Sequence, residues 1–161
     1  MRVPMMTILF VCSGNTCRSP MAEAVARDWL ATHRPELASE VFVASAGVLA
    51  MDGMPTTPET LEALRRAGID FEGRSTLLNP DMVDGAAVIF CMTAAHRDAV
   101  TAMLGDASTT RIELLDPAGD VTDPIGAGQS VYNELLDHFR KLIPERLDEV
   151  LPQTSRTGGD P

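Results

Sequence analysis

Thr7-Ile8-Leu9-Phe10-Val11-Cys12-Ser13-Gly14-Asn15-Thr16-Cys17-Arg18-Ser19-Pro20-Met21-Ala22-Glu23-Ala24 is the stretch on which the fold turns. Thr7 to Val11 form a continuous apolar run with β-branched members, the pattern of a strand covered on both faces. A short loop, residues 12–19, follows. Ser19-Pro20 predicts a helix start, with Ser19 as N-cap and Pro20 as the first helical residue, where a missing N–H is harmless. The helix is expected to reach Leu30, with Met21, Val25, Trp29 and Leu30 on one face.

The same alternation continues along the chain. Val41–Ala44 reads as a second strand, ended by Ser45-Ala46-Gly47. Thr57-Pro58 opens a second helix, with Leu61, Leu64 and Ala67 inward and Gly68 as its stop. Residues 69–85 look irregular apart from a helical turn after Asn79-Pro80. Residues 86–92 form a third buried strand, Thr93 caps a helix to about Leu104, and residues 112–115 form a fourth strand. A loop of Asp, Pro and Gly spans 116–128. The last helix runs from about Ser130 to Leu151, interrupted or kinked near Pro144. Strands alternating with helices predict an α/β fold, an open, mostly parallel four-stranded sheet with helices on both faces. One domain over residues 1–152 is expected, with a disordered tail at 153–161.

Size and charge narrow the function. At 161 residues the chain suits a single core. Only 4% of residues are aromatic and nine are Met, so the core must be aliphatic and adaptable. The net charge of −10 repels nucleic acid and anionic membrane. No apolar run approaches the ~20 residues that span a bilayer, and residues 1–6 lack the cleavage region of a secretory signal. Three cysteines, two of them five residues apart, are not a disulfide framework and fit the reducing cytoplasm.

Loop 12–19 carries the chemistry. Successive backbone N–H groups of such a loop can form an anion nest, with the positive end of a helix behind it. Gly14 lets the backbone curl. Ser13, Thr16 and Cys17 complete the phosphate-binding loop, and Asn15 is a plausible brace through its amide. Arg18 can hold two phosphate oxygens with its planar fork. Cys12 in that field is favoured as the thiolate, to which Ser19 can donate. The implied reaction is in-line attack of Cys12 on phosphorus, giving a phosphocysteine that water hydrolyses. It needs no cofactor and no metal. A Walker-type nucleotide loop is excluded because no Gly-Lys-Ser/Thr follows.

Leaving-group departure requires an acid. Asp116-Pro117 and Asp123-Pro124 both lie in the fourth loop. Asp116 follows its strand directly and reads as a terminator, so Asp123 is the candidate. His33, His96 and His138 lack metal-ligand spacing, and His96 and His138 read as helix-surface residues. Trp29 and Tyr132 read as packing residues before site walls, and Cys91 as core. Arg65-Arg66 and Arg140-Lys141 are too sparse for a nucleic-acid patch.

These motifs resemble the low-molecular-weight protein tyrosine phosphatase family. The resemblance spans about residues 6–150. It rests on residues 11–24, on Ser45-Ala46-Gly47, on Cys91-Met92-Thr93 and on Asp123-Pro124. It implies a four-stranded parallel sheet, Cys12 as nucleophile, Arg18 as phosphate binder, Asp123 as general acid, and Asn15 and Ser19 as loop supports. It also implies that Cys17 can trap Cys12 as a reversible disulfide under oxidation. The partner is then a phosphorylated protein, with inorganic phosphate as product or inhibitor. Tyrosine-specific members commonly carry aromatic residues where this chain has Leu49 and Ile125, and often Ile where it has Thr16. A phenyl ring wants apolar, stacking walls; a guanidinium wants acceptors and a carboxylate. Thr16, Leu49 and Ile125 as pocket walls, with Asp123, put phosphoarginine ahead of phosphotyrosine. The Gly-Asn-Thr-Cys-Arg-Ser run also resembles the family's bacterial protein-arginine phosphatases, although Ile125 stands where those have Phe. Two alternatives stay open: a thioredoxin-coupled arsenate reductase, which needs two further mobile cysteines, and a non-catalytic phosphate-binding module.

Overall fold

The structure, a computed structural model, describes residues 5–153. Four strands, β1 (Met6–Cys12), β2 (Val41–Gly47), β3 (Val88–Cys91) and β4 (Arg111–Leu114), form one parallel sheet in the order β2-β1-β3-β4. The helices are α1 (Arg18–His33), α2 (Pro58–Arg66), α3 (Pro80–Gly85), α4 (Ala94–Met103) and α5 (Gln129–Val150). The expected tail lies outside the described residues except for Gln153, which is irregular and exposed.

The apolar run of β1 is unbroken because both of its faces are covered. Ile8, Phe10 and Cys12 join the core under α1, α2 and α5, together with Val88 and Phe90 of β3. Leu9 and Val11 alternate onto the opposite face, where they meet Ile89, Cys91, Val83 of α3 and Val100 of α4. Phe10 and Phe90 stack across the strand pair with centroids 5.7 Å apart. The edge strands are less apolar: Phe42 of β2 and Arg111 of β4 are exposed.

Chain order reverses at β1. The chain leaves it for β2 on one side and later returns to β3 on the other. Connections therefore diverge beyond the carboxyl end of β1, the place where loop 12–19 sits and where open α/β sheets bind ligands.

Several boundaries differ from expectation. Ser19 is not the N-cap of α1. The helix begins at Arg18 with Cys17 before it, and its first bond runs from Met21 N–H to the Cys17 carbonyl at 3.1 Å. The Ser19 hydroxyl is engaged in the loop instead, and Pro20 stays within the first turn, where no intrahelical N–H partner exists. In α2 the fully buried residues are Thr60, Ala63 and Leu64; Leu61 and Ala67 are half-buried. Packing against α5 rotates the inner stripe toward Thr60, whose hydroxyl accepts from the N-cap Thr57 hydroxyl at 2.8 Å. Helix α5 continues through Pro144 without a break. The carbonyl that Pro144 leaves unpaired belongs to the exposed Arg140, where water can serve it.

Candidate active site

Alternation along β1 points Cys12 to the face covered by α1 and α5. The chain then reverses through Asn15, whose φ of +57° is the only positive value among the described non-glycine residues. Asn tolerates this left-handed geometry better than most residues. The turn brings Asn15 N–H to 3.3 Å from Cys12 Sγ, and the Ser19 hydroxyl lies 2.9 Å from the same sulfur.

Hydrogen-bond direction around Asn15 is determined by elimination. Thr76 N–H can only donate, and it reaches Asn15 Oδ1 at 2.9 Å. Asn15 Nδ2 therefore donates, to Ser19 Oγ at 2.7 Å and Ser45 Oγ at 2.9 Å. Both serines must direct their own protons elsewhere. Ser45 donates to Glu23 Oε1 at 2.6 Å, and Ser19 is left with two acceptors, Cys12 Sγ at 2.9 Å and the Ala46 carbonyl at 3.5 Å, of which Cys12 is the nearer. The network thus supports a negative sulfur. Burial pushes the Glu23 carboxyl upward, while the Ser45 bond and Arg27, 2.5 Å away, pull it back.

Gly47 at the end of β2 closes the other wall. A Cβ there would lie 2.4 Å from the Ser13 carbonyl oxygen and 2.9 Å from Asn15 N, both backbone atoms of the loop. The loop is stitched to this side by Val48 N–H to the Cys12 carbonyl, Leu49 N–H to the Ser13 carbonyl and Thr57 N–H to the Thr16 carbonyl, at 2.9–3.0 Å.

Arg18 is only 5% exposed. One guanidinium nitrogen donates to the Val121 carbonyl at 2.9 Å, and the other lies 3.7 Å from Asp123 Oδ2. Asp123 is half exposed, on the loop after β4, and its Oδ1 accepts from Ile125 N–H at 3.1 Å. Asp116 is occupied elsewhere. It accepts from Ala118 N–H and pairs with His138 Nε2, each at 2.9 Å. Burial raises its carboxyl, but those bonds outweigh burial and hold it below the ordinary range. Arg18, six residues after Cys12 in the same loop, is therefore brought to Asp123, and Asp116 is engaged elsewhere.

The remaining candidates divide. Thr16 is half-buried, its hydroxyl 3.8 Å from Cys17 Sγ. Leu49 is 81% and Ile125 63% exposed, so neither is an enclosing wall. Cys17 is buried against Thr57 and Tyr132, its sulfur 3.5 Å from the Tyr132 hydroxyl. Tyr132 is a packing residue, and burial, then Cys17, push its phenol upward. Cys12, Cys17 and Cys91 are all free thiols. Cys91 is fully buried, and burial pushes its thiol up to about 12.

His96 corrects the sequence reading. It is no surface residue: it is 5% exposed, and its Nε2 lies 2.8 Å from Ser13 Oγ in the loop. Ser45, Gly47 and Thr76 are further contributors. Ser45-Ala46-Gly47 stands out as a motif, but the local sequence gives none of these four a partner in the loop, because each reaches it from a distant element. His96 has only its position as third residue after the Thr93 cap to mark it, and that fixes no direction.

Three comparisons bear on this geometry. Residues 7–155 match the family described as low molecular weight phosphotyrosine protein phosphatase. A protein-arginine-phosphatase of Geobacillus stearothermophilus is 34% identical over 148 residues, which cover 89% of this chain and 95% of the relative. The crystal structure of a low molecular weight protein tyrosine phosphatase from T. tengcongensis superposes with a TM-score of 0.80 at 30% identity, covering 90% of this chain and 99% of that one. The YwlE arginine phosphatase, solved as a cysteine-to-serine mutant with a phosphorylated active-site serine, superposes at 0.79 with 31% identity, covering 90% and 97%.

Two outcomes are expected. Gly47→Ala forces loop backbone to move; it should lower stability by about 1–3 kcal/mol in urea denaturation and cut phosphatase turnover by up to about a hundredfold. His96 is held below its ordinary 6.5 by burial and by the Arg18 charge, against Asp120 and Asp123. The unfolded chain therefore takes up the proton first. The stability that neutral His96 confers is full above about pH 6.5 and is lost as pH falls toward the depressed folded value. Urea midpoints measured across this window should fall less in His96→Gln than in the wild type.

Proposed function

This chain belongs to the low molecular weight phosphotyrosine protein phosphatase family, and on that premise we propose that it dephosphorylates protein side chains through a phosphocysteine on Cys12, phosphoarginine ahead of phosphotyrosine. The observation that carries the proposal is the setting of Cys12 Sγ, held by Ser19 at 2.9 Å and Asn15 N–H at 3.3 Å, in a loop whose Arg18 pairs with Asp123.

The steps follow from these groups. The Cys12 thiolate attacks phosphorus while Arg18 and the loop N–H groups hold the other phosphate oxygens. Asp123, at the solvent-facing side of Arg18, gives its proton to the departing nitrogen or oxygen as the bond to phosphorus breaks. Water then attacks the phosphocysteine, Asp123 takes a proton from it, and phosphate leaves with the thiolate restored. The phosphorylated serine in the solved YwlE mutant supports a covalent intermediate at the corresponding place in that relative.

Substrate choice rests on what surrounds the sulfur. Leu49 and Ile125 offer no ring for stacking, and Thr16 adds a hydroxyl near the loop. Asp123 supplies a carboxylate for a guanidinium. The Geobacillus relative named protein-arginine-phosphatase supports the same preference. Inorganic phosphate is the product and a competing ligand. Cys17, buried beside Thr57 and Tyr132, is the candidate partner for a reversible disulfide with Cys12. The free thiols support a cytoplasmic setting. No described helix is long and apolar enough to cross a membrane. Residues 1–152 act as the single phosphatase domain.

Purified protein should hydrolyse para-nitrophenyl phosphate without added metal, and Cys12→Ser should abolish turnover; full turnover in that variant would overturn the mechanism. Asp123→Ala should slow phosphoprotein hydrolysis by about a hundred- to ten-thousandfold while still binding phosphate. Loss in Asp116→Ala with retention in Asp123→Ala would reassign the acid. Thr16→Ile should lower the ratio of kcat/KM for phosphoarginine over phosphotyrosine peptides by roughly tenfold or more. An unchanged ratio would remove Thr16 from the specificity argument.

A further inference from the structure

Loop 12–19 is braced unequally by its neighbours. On the β2 side it receives Ser45, Gly47, Val48, Leu49, Thr57 and Thr76. On the β3–β4 side fewer contacts reach it: Arg18 meets the Val121 carbonyl and Asp123, and His96 meets Ser13. Within the loop, Asn15 to Ser19 are held by their own side chains or carbonyls. The side chain of Ser13, directly after the nucleophile, has His96 as its partner.

His96 is well placed to hold it. Its own N–H bonds to the Thr93 hydroxyl at 3.1 Å, and Ala94 N–H bonds to Asp120 Oδ1 at 2.9 Å, so the first turn of α4 is pinned at both points. Val121 N–H, next in sequence to Asp120, donates to the Met92 carbonyl at 2.8 Å. One short segment thus ties the start of α4 to the Arg18 guanidinium.

The tautomer follows from what the ring lacks. Nδ1 is buried and has no hydrogen-bond partner among the described residues. A buried orphan N–H costs more than a buried orphan lone pair on a neutral ring. The proton therefore sits on Nε2, which donates to Ser13 Oγ, and the Ser13 hydroxyl keeps its own proton for an anion in the nest. Protonating the ring would bury a second donor without an acceptor and add a cation beside Arg18 of α1. Asp120 and Asp123 of the β4–α5 loop oppose that cost only in part.

We propose that His96 is a positioning residue of the reaction, which orients Ser13 through the Nε2–Oγ hydrogen bond so that the first part of the phosphate-binding loop is set for the phosphoryl group. The proposal rests on the phosphatase reading of loop 12–19, and the test separates the two. Inorganic phosphate is titrated calorimetrically, and kcat/KM is measured with para-nitrophenyl phosphate. The proteins are the full-length wild type, His96→Ala, His96→Gln, Ser13→Ala and the double alanine variant.

His96→Ala should weaken phosphate binding and lower kcat/KM by roughly three- to tenfold each. His96→Gln, whose amide nitrogen reaches the same place, should recover most of both. Ser13→Ala should lose at least as much as His96→Ala, and the double variant should lose no more than Ser13→Ala. Phosphate affinity and kcat/KM within twofold of wild type in His96→Ala and Ser13→Ala would overturn the proposal. So would fully additive losses, or a Gln variant as impaired as Ala despite a wild-type melting temperature. Should His96→Ala fail to fold, Ser13→Ala and His96→Gln decide on the same criteria. A wild-type protein that neither binds phosphate nor hydrolyses the ester would defeat the phosphatase reading itself.

Discussion

The side chain of Asn15 is the constraint on which the site depends. Its backbone adopts the left-handed geometry that closes the loop, and its amide uses one acceptor and two donors on three different elements. An amide whose acceptor is already taken by a backbone N–H can only donate to both serines. Those serines then pass their protons outward, one to a carboxylate and one to Cys12. The direction of each bond around the sulfur is thereby inherited from one residue three positions away.

The sheet supplies the rigidity that makes this direction useful. Loop 12–19 leaves the central strand at the point where the chain order reverses, so it can be gripped from both neighbours. The β2 side grips it by backbone, through Gly47, where close approach leaves no room for a Cβ. The β3–β4 side grips it by side chains, His96 on Ser13 and Arg18 on Val121. A loop held from one side could tilt; held from two, it keeps one orientation.

Electrostatics work against the overall charge. At −10 the chain repels phosphorylated partners at long range. The site answers locally, with a nearly buried Arg18, a helix start and the Asn15 N–H at the sulfur, all acting where water screens little. Asp123 stands at the exposed edge of that region, close enough to Arg18 to be oriented and open enough to meet a leaving group. Asp116, seven residues earlier, has both carboxylate oxygens occupied.

Residues 7–24 set the pattern of the fold class, a twice-covered strand, a tight loop and a proline-started helix, and the same alternation along the rest of the chain determined it. Residues 7–24 also marked Cys12 as the candidate nucleophile and Arg18 as the candidate phosphate binder, since local spacing controls both. The preference for Asp123 over Asp116 as candidate acid came from distance to the strand end, and in the fold Asp116 is engaged with His138 and Ala118. What sequence could not show was the bracing. Ser45, Gly47, Thr76 and His96 lie 30 or more residues from Cys12, and His96 read as a helix-surface residue because a short polar helix leaves its facing direction undefined. The helix start was misread for the same reason: Ser19 has the chemistry of an N-cap, and only the position of Cys12 and Asn15 in space diverts it. Local patterns encode which groups a segment carries, whereas the partners of a polar side chain depend on packing between segments, and that is decided by the tertiary structure.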